Sequence, residues 1–284
     1  MAHSSKLRVL VTGGHGQLGR DVVDLLTKKG YEAFPVDREE MDITDFECCQ
    51  QVMNTIKPHI VIHAAAYTAV DQAESDRENA FLINAYGTRN VAVMAQQLEA
   101  KLIYISTDYV FSGEGTMPRD EFHAVSPINV YGASKLAGEQ FVKELHQQYF
   151  IVRTSWVYGQ HGNNFVKTML NLAKQRQEIS VVHDQIGCPT YTIDLAATII
   201  DLMQSSKYGT YHVSNSGQCS WYEFATAIFE LSGSKATVVP VHSDSFPRPA
   251  VRPAFSVFDH MALRINGFTT PRPWREALED FLRN

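Results

Sequence analysis

Tyr131 and Lys135 stand four residues apart in Tyr131-Gly-Ala-Ser-Lys135, and a helix would project both from one face. A lysine ammonium beside a phenol favours the phenolate, so the pair should draw a phenol of ordinary pKa, about 10, towards neutral pH. Just upstream, the hydroxyl of Thr107 in Ser106-Thr107-Asp108 completes a proton-handling group. Such a group delivers a proton to an oxygen as negative charge develops on it.

A glycine-rich turn, Gly13-Gly-His-Gly16-Gln17-Leu18-Gly19, opens the same half of the chain. It follows an apolar, strand-like run and leads into a helical pattern. Glycine lets the backbone turn tightly and approach a pyrophosphate, and the helix N-terminus offers free N–H groups and a positive dipole end. Gly13, Gly16, Gln17, Leu18 and Gly19 are therefore candidate dinucleotide contacts. Asp37 ends the expected second strand, where an acid would bind an adenosine ribose 2′-hydroxyl. Arg38 follows directly and would instead meet a 2′-phosphate through its planar fork. The two residues pull in opposite directions, so NADPH and NADH are both open. Asp42 and Ile43 are expected to border the adenine, and the small residues of Ala64-Ala65-Ala66-Tyr67 to let backbone approach the cofactor.

The elements that must position these groups alternate. Strands are expected at 7–12, 31–37, 59–63, 101–107 and 149–155, and helices at 17–29, 45–56, 76–98 and 128–146. Strands separated by helices at this rhythm specify an α/β fold with a doubly wound parallel sheet. Beyond Trp156 the rhythm loosens, with helices at 163–174, 193–205 and 221–231, strands at 179–182, 210–214 and 236–241, and a last helix near Trp274. These later elements are read as a smaller C-terminal α/β lobe.

Composition narrows the class. The 284 residues carry a net charge of −6 with 44% hydrophobic and 20% charged residues, an ordinary globular balance without a nucleic-acid footprint. No apolar run approaches a membrane span, and residues 1–6 offer neither an apolar h-region nor a cleavage site. Cys48, Cys49, Cys188 and Cys219 have neither zinc spacing nor a disulfide framework. A cytoplasmic protein with no membrane or nucleic-acid partner is expected.

With Ser106-Thr-Asp-Tyr-Val-Phe111, Arg153-Thr-Ser-Trp156, Asp184-Gln185-Ile-Gly-Cys-Pro189-Thr190 and Arg252-Pro added, the chain resembles the extended short-chain dehydrogenase/reductase family over nearly its whole length. It is most similar to the branch that reduces dTDP-4-dehydro sugars. The resemblance implies a Rossmann-type domain over 1–157 plus about 190–216, and a sugar-nucleotide lobe over about 158–189 and 217–284. It implies NADPH as the cofactor, NADH being left open as a second, and reduction of the 4-keto group of dTDP-4-dehydro-L-rhamnose. Tyr131 would donate the proton, Lys135 would lower its pKa and hold the nicotinamide ribose, and Thr107 would hydrogen-bond the same oxygen.

For the dTDP-sugar, the resemblance implies contacts from Asp108, Trp156 and Val70, with Asn164, Gln185, Pro189, Thr190 and Arg252 as candidates for the thymidine diphosphate. Arg252 suits a diphosphate because a guanidinium pairs bidentately with phosphate oxygens. Ile193 aligns where some relatives carry a metal-bridging glutamate, so no metal is expected, and the assembly is expected to be a monomer or weak homodimer. Two rivals stay open. One is an epimerase or dehydratase of the same family, against which Asp108-Tyr109 stands where a dehydratase needs an acidic pair. The other is a dinucleotide-binding regulatory subunit such as that of methionine adenosyltransferase.

Overall fold

The computed structural model describes residues 6–283, so the readings made for residues 1–5 and for Asn284 lie outside the described residues. The apolar run at the start forms β1 (Arg8–Thr12), buried along nearly its whole length as expected of a strand covered on both faces. The glycine turn leads into α1 (Gln17–Lys28), which β2 (Glu32–Val36), α2 (Phe46–Ile56) and β3 (Ile60–His63) follow. Asp45 caps α2 by accepting the Cys48 N–H, and the helix closes on left-handed Lys57 before Pro58.

The helix expected over 76–98 runs over Arg77–Gln97 as α4 (Arg77–Phe81), a π-helical turn over Leu82–Gly87 and α5 (Thr88–Gln97), with short α3 (Val70–Ala73) before it. A π turn holds one more residue than an α turn and so rotates the face that follows it. Here it carries Asn84, whose amide accepts the Tyr67 N–H at 2.8 Å and donates to the Tyr67 carbonyl and to Ser134 Oγ. Periodicity cannot reveal this π turn, because the apolar positions on either side still read as helix.

The sheet continues through β4 (Lys101–Thr107), α6 (Val130–Leu145) and β5 (Tyr149–Thr154). Asn129 starts α6 by accepting the Gly132 N–H at 2.8 Å. The remaining elements are β6 (Val157–Tyr158), α7 (Phe165–Ala173), β7 (Glu178–Val182), β8 (Ile186–Gly187), β9 (Thr190–Tyr191), α8 (Thr192–Met203) and β10 (Gly209–His212). After them come β11 (Cys219–Ser220), α9 (Trp221–Ser232), β12 (Thr237–Val241), α10 (Met261–Ile265) and α11 (Trp274–Arg283).

Six strands form one parallel sheet in the order β10-β5-β4-β3-β1-β2. Its two faces carry separate cores. Val22 and Leu26 of α1 with Leu195, Ile199 and Ile200 of α8 cover one, and Cys49 and Met53 of α2 with Val91 and Met94 of α5 cover the other. The strand order turns back between β1 and β3, and at such a switch point a crevice opens beyond the carboxyl ends of the strands. The later elements build a third core around Tyr158, Tyr191, Phe224, Ile228 and Phe281, with β7 and β12 paired in parallel. No described helix is long and apolar enough to cross a membrane.

Candidate active site

A cavity of about 1000 Å³ opens at the switch point. Its wall includes Gly13, Gly16, Gln17 and Leu18 of the glycine turn, and Asp37, Arg38, Asp42 and Ile43 beyond β2. Ala65, Ala66, Tyr67 and Val70 follow β3 in the wall, and Thr107, Asp108, Tyr131, Lys135 and Trp156 close the other side. Residues far apart in sequence thus share one cleft, most of them in the segments that follow the strands' carboxyl ends and Tyr131 and Lys135 on α6.

The glycine turn fits a dinucleotide. Gly13 has a φ of 66°, and a Cβ there would lie 2.8 Å from the Ala65 nitrogen, so any side chain would close the approach. Gly16 caps α1 with no side-chain hydrogen bond and no acid stands in the first turn, leaving the positive helix end open to a pyrophosphate. Gly19 works from behind the wall: a Cβ there would meet the Gly13 carbonyl oxygen at 2.0 Å. Gly19→Ala is therefore expected to force the turn open, costing about 1–3 kcal/mol as overpacking does. Fluorescence titration with NADPH should show weakened binding; unchanged affinity and unfolding midpoint would refute this role.

Tyr131 and Lys135 stand one turn apart on α6, with Thr107 at the end of β4. Tyr131 is half-buried, its ring edge-on to Tyr109 at 5.5 Å. Burial pushes its pKa up to about 12, while a hydrogen bond with the Thr107 side chain pulls the other way. One turn on, Lys135 Nζ donates to the Ile105 carbonyl at 2.7 Å and lies 4.1 Å over the Tyr104 ring. Burial lowers its pKa to about 7, with the Glu139 charge opposing the shift. Where the sequence reading expects the phenol pKa to fall, burial raises it. Loss of hydration raises the cost of a phenolate and of an ammonium alike.

A further turn along, Glu139 is fully buried and unforeseen from the motif. It accepts from Arg153 Nε at 2.8 Å, Arg153 Nη2 at 2.7 Å and Ser106 Oγ at 2.6 Å. Ser106 and Arg153 are register partners on β4 and β5, so this carboxylate ties α6 to both strands beneath the site. Asn84 supports the same helix through Ser134. Sequence offered only weak signals for these residues: Glu139 lies four positions beyond Lys135, and Asn84 sits inside a helix-like run.

Asp108 begins a short 3₁₀ turn and is buried. It accepts from Ser256 Oγ at 2.6 Å and Thr107 Oγ1 at 3.1 Å, and burial raises its pKa to about 6. Trp156 adopts a left-handed φ of 46°, an uncommon conformation for a bulky residue. Its ring stacks on Trp221 at 3.5 Å, which turns one indole face into a fixed wall.

The structure does not bring every candidate into the cavity wall. Asn163 lines it, whereas Asn164 caps α7 and donates to Gln17 Oε1 at 2.9 Å. Pro189 and Thr190 are buried around β9, and Gln185 lies just before β8, outside the wall. Arg252 spends its fork on Asp71, with both contacts at 2.8 Å. It would have to leave that carboxylate to grip a diphosphate. His63 is within hydrogen-bond distance of Thr12 and Thr88, at 2.7 and 3.0 Å, and burial lowers its pKa to about 3.

With this geometry in view, the comparisons are consistent. Residues 7–284 match the family model described as RmlD substrate binding domain. The chain is 45% identical to the spore coat polysaccharide biosynthesis protein SpsK of Bacillus subtilis, over 97% of each chain. It is 39% identical to the dTDP-4-dehydrorhamnose reductase of Aggregatibacter actinomycetemcomitans, over 96% of this chain and 97% of that one. The crystal structure of dTDP-4-dehydrorhamnose reductase from Bacillus anthracis in complex with NADP superposes with a TM-score of 0.96 at 56% identity, covering 98% and 99% of the two chains.

Proposed function

From the premise that this chain belongs to the RmlD substrate-binding-domain family, we propose that it is an NADPH-dependent reductase of dTDP-4-dehydro-L-rhamnose. It reduces the 4-keto group to give dTDP-L-rhamnose. The observation that carries this reading is the convergence of Tyr131, Thr107 and Lys135 on the cavity that the glycine turn opens. Bound NADPH supplies the hydride; the protein supplies orientation and the proton.

The residues divide that work. Gly13, Gly16 and the first turn of α1 hold the pyrophosphate, and Asp37, Arg38, Asp42 and Ile43 surround the adenosine. Tyr131 stays protonated through the neutral range because burial holds its pKa high, which is the state a donor to a developing alkoxide must have. Thr107 orients that phenol, and Asp108 holds Thr107 through its own hydrogen bond. Lys135 offers its remaining N–H donors to the nicotinamide ribose. The stacked Trp156 supports the deoxysugar, with Val70 in the same wall.

We assign 1–157 and about 190–216 to cofactor binding, and about 158–189 and 217–284 to the sugar nucleotide. The pairing of β10 with β5 and the packing of α8 on α1 support the return of 190–216 to the main sheet. The protein is assigned to the cytoplasm, where NADPH is kept reduced, as a monomer or weak homodimer.

The test is direct. The protein is mixed with NADPH and enzymatically prepared dTDP-4-dehydro-L-rhamnose, and loss of nicotinamide absorbance is followed alongside product. Stoichiometric conversion is expected. No turnover from a folded preparation that binds NADPH would reject catalysis and favour the regulatory-subunit reading.

A further inference from the structure

We propose that Asp108 recharges Tyr131 with a proton through the Thr107 hydroxyl after each turnover, and that Ser256 poises Asp108 for this; this rests on the reductase reading above. The four side chains form one hydrogen-bonded chain. Ser256 Oγ donates to Asp108 Oδ2 at 2.6 Å, and Thr107 Oγ1 donates to Asp108 Oδ1 at 3.1 Å. Thr107 in turn hydrogen-bonds the Tyr131 side chain. Ser256, Asp108 and Thr107 are buried, so bulk water does not compete along the chain. Thr107, Asp108 and Tyr131 nevertheless all line the cavity, where a proton can enter once product leaves.

The bonding capacity of Thr107 makes the chain reversible. A threonine hydroxyl has one proton and two acceptor sites. The Tyr109 N–H takes one acceptor site at 3.2 Å. The proton and the other site are left for Asp108 and Tyr131, so whichever partner carries a proton sets the direction. With Asp108 ionised and the phenol intact, Thr107 donates to Asp108. Once Tyr131 has given its proton to the substrate oxygen, a protonated Asp108 reverses the chain. Its O–H bond breaks as Thr107 takes that proton, and the former Thr107 proton passes to the phenolate. Tyr131 and Thr107 end intact and Asp108 ends ionised, so one negative charge has moved from phenolate to carboxylate. Asp108 then takes a proton from the open cavity.

Acid strength favours that direction. Burial raises the pKa of Asp108 to about 6 and that of Tyr131 to about 12, so the transfer runs downhill. The Ser256 hydrogen bond opposes the rise at Asp108 and keeps it the stronger acid. Ser256 is itself fixed, its N–H donating to the Ile186 carbonyl of β8 at 2.9 Å. Tyr109 and Cys188 also face Asp108, and burial pushes both upward, so they keep their protons at neutral pH. Lys135, the rival proton source, points its Nζ at the Ile105 carbonyl.

The experiment compares one turnover with many in Asp108→Asn. Asparagine still accepts from Thr107 but has no acidic proton to pass on. With enzyme in excess over dTDP-4-dehydro-L-rhamnose, the first turnover should keep its wild-type rate within about twofold. With saturating substrate, steady turnover should fall about 10²-fold, the low end of a positioned proton transfer. Tyr131 should then accumulate as phenolate, visible as near-ultraviolet absorbance that Tyr131→Phe in the same background removes. Unchanged steady turnover would give the recharging to Lys135 and overturn the proposal. Equal losses in both measurements, or slow turnover without phenolate, would overturn it too, by placing Asp108 in the chemical step or in product release. Ser256→Ala should let Asp108 hold its proton to higher pH. The pH above which steady turnover declines should therefore rise, and Ser256→Thr should restore it; an unmoved profile would overturn the role of Ser256. Folded wild type that binds NADPH yet never turns over would instead overturn the reductase reading, and this inference with it.

Discussion

Tyr131→Phe should lower kcat by about 10²–10⁴-fold, the usual contribution of a positioned general acid. The substitution removes one hydroxyl and keeps the ring that packs edge-on against Tyr109. The fold and the glycine turn are untouched, so the NADPH dissociation constant should stay within about twofold, an energy change below 0.5 kcal/mol. The affected interaction belongs to the transition state, where the carbonyl oxygen gains charge and takes the phenolic proton. Stopped-flow turnover and fluorescence titration on the same preparation separate the two quantities. If turnover stayed near the wild-type value, the proton would have to come from another group, with Asp108 the first to examine because burial raises its pKa to about 6.

The second large effect is expected on stability. Glu139→Gln leaves the guanidinium of Arg153 in a site where Glu139 is 0% and Arg153 2% exposed. An unpaired buried charge of this kind costs about 3–5 kcal/mol. The urea midpoint should fall accordingly. Activity should fall too, because the carboxylate ties Ser106, the neighbour of Thr107, to the helix that carries Lys135. It also opposes the loss of charge on Lys135. The double replacement Glu139→Leu with Arg153→Met separates the roles. It removes both charges and should recover much of the stability, since apolar substitutes for a buried pair are often neutral or better. Turnover should remain low. Recovery of turnover together with stability would reduce the pair to scaffolding.

How much was legible beforehand differs from residue to residue. The glycine turn, Thr107, Tyr131 and Lys135 were readable because their spacing is local and each stands at an element end that hydrophobic periodicity marks. The strands over 7–12, 59–63 and 101–107 were readable for the same reason. Arg252 was identified by its chemistry but not by its partner. A guanidinium suits a phosphate and a carboxylate equally well, and the fold places Asp71 within reach. The π turn at Leu82–Gly87, inside an otherwise continuous helix, escaped because it preserves an apolar pattern that reads as plain helix.

The sequence by itself therefore determined the alternating α/β order, the glycine turn and the Tyr131–Lys135 and Thr107 group that the proposed function uses, all of which depend on spacings within a few turns or strands. The tertiary structure decided what those residues experience. It placed Glu139 beneath Lys135, gave it Arg153 and Ser106, and turned Asn84 towards the backbone beside the site. It also reversed the expected shift of the Tyr131 phenol. Whether a neighbouring cation or the loss of water governs a pKa depends on how deeply both groups are buried, and burial is set by packing between segments distant in the chain.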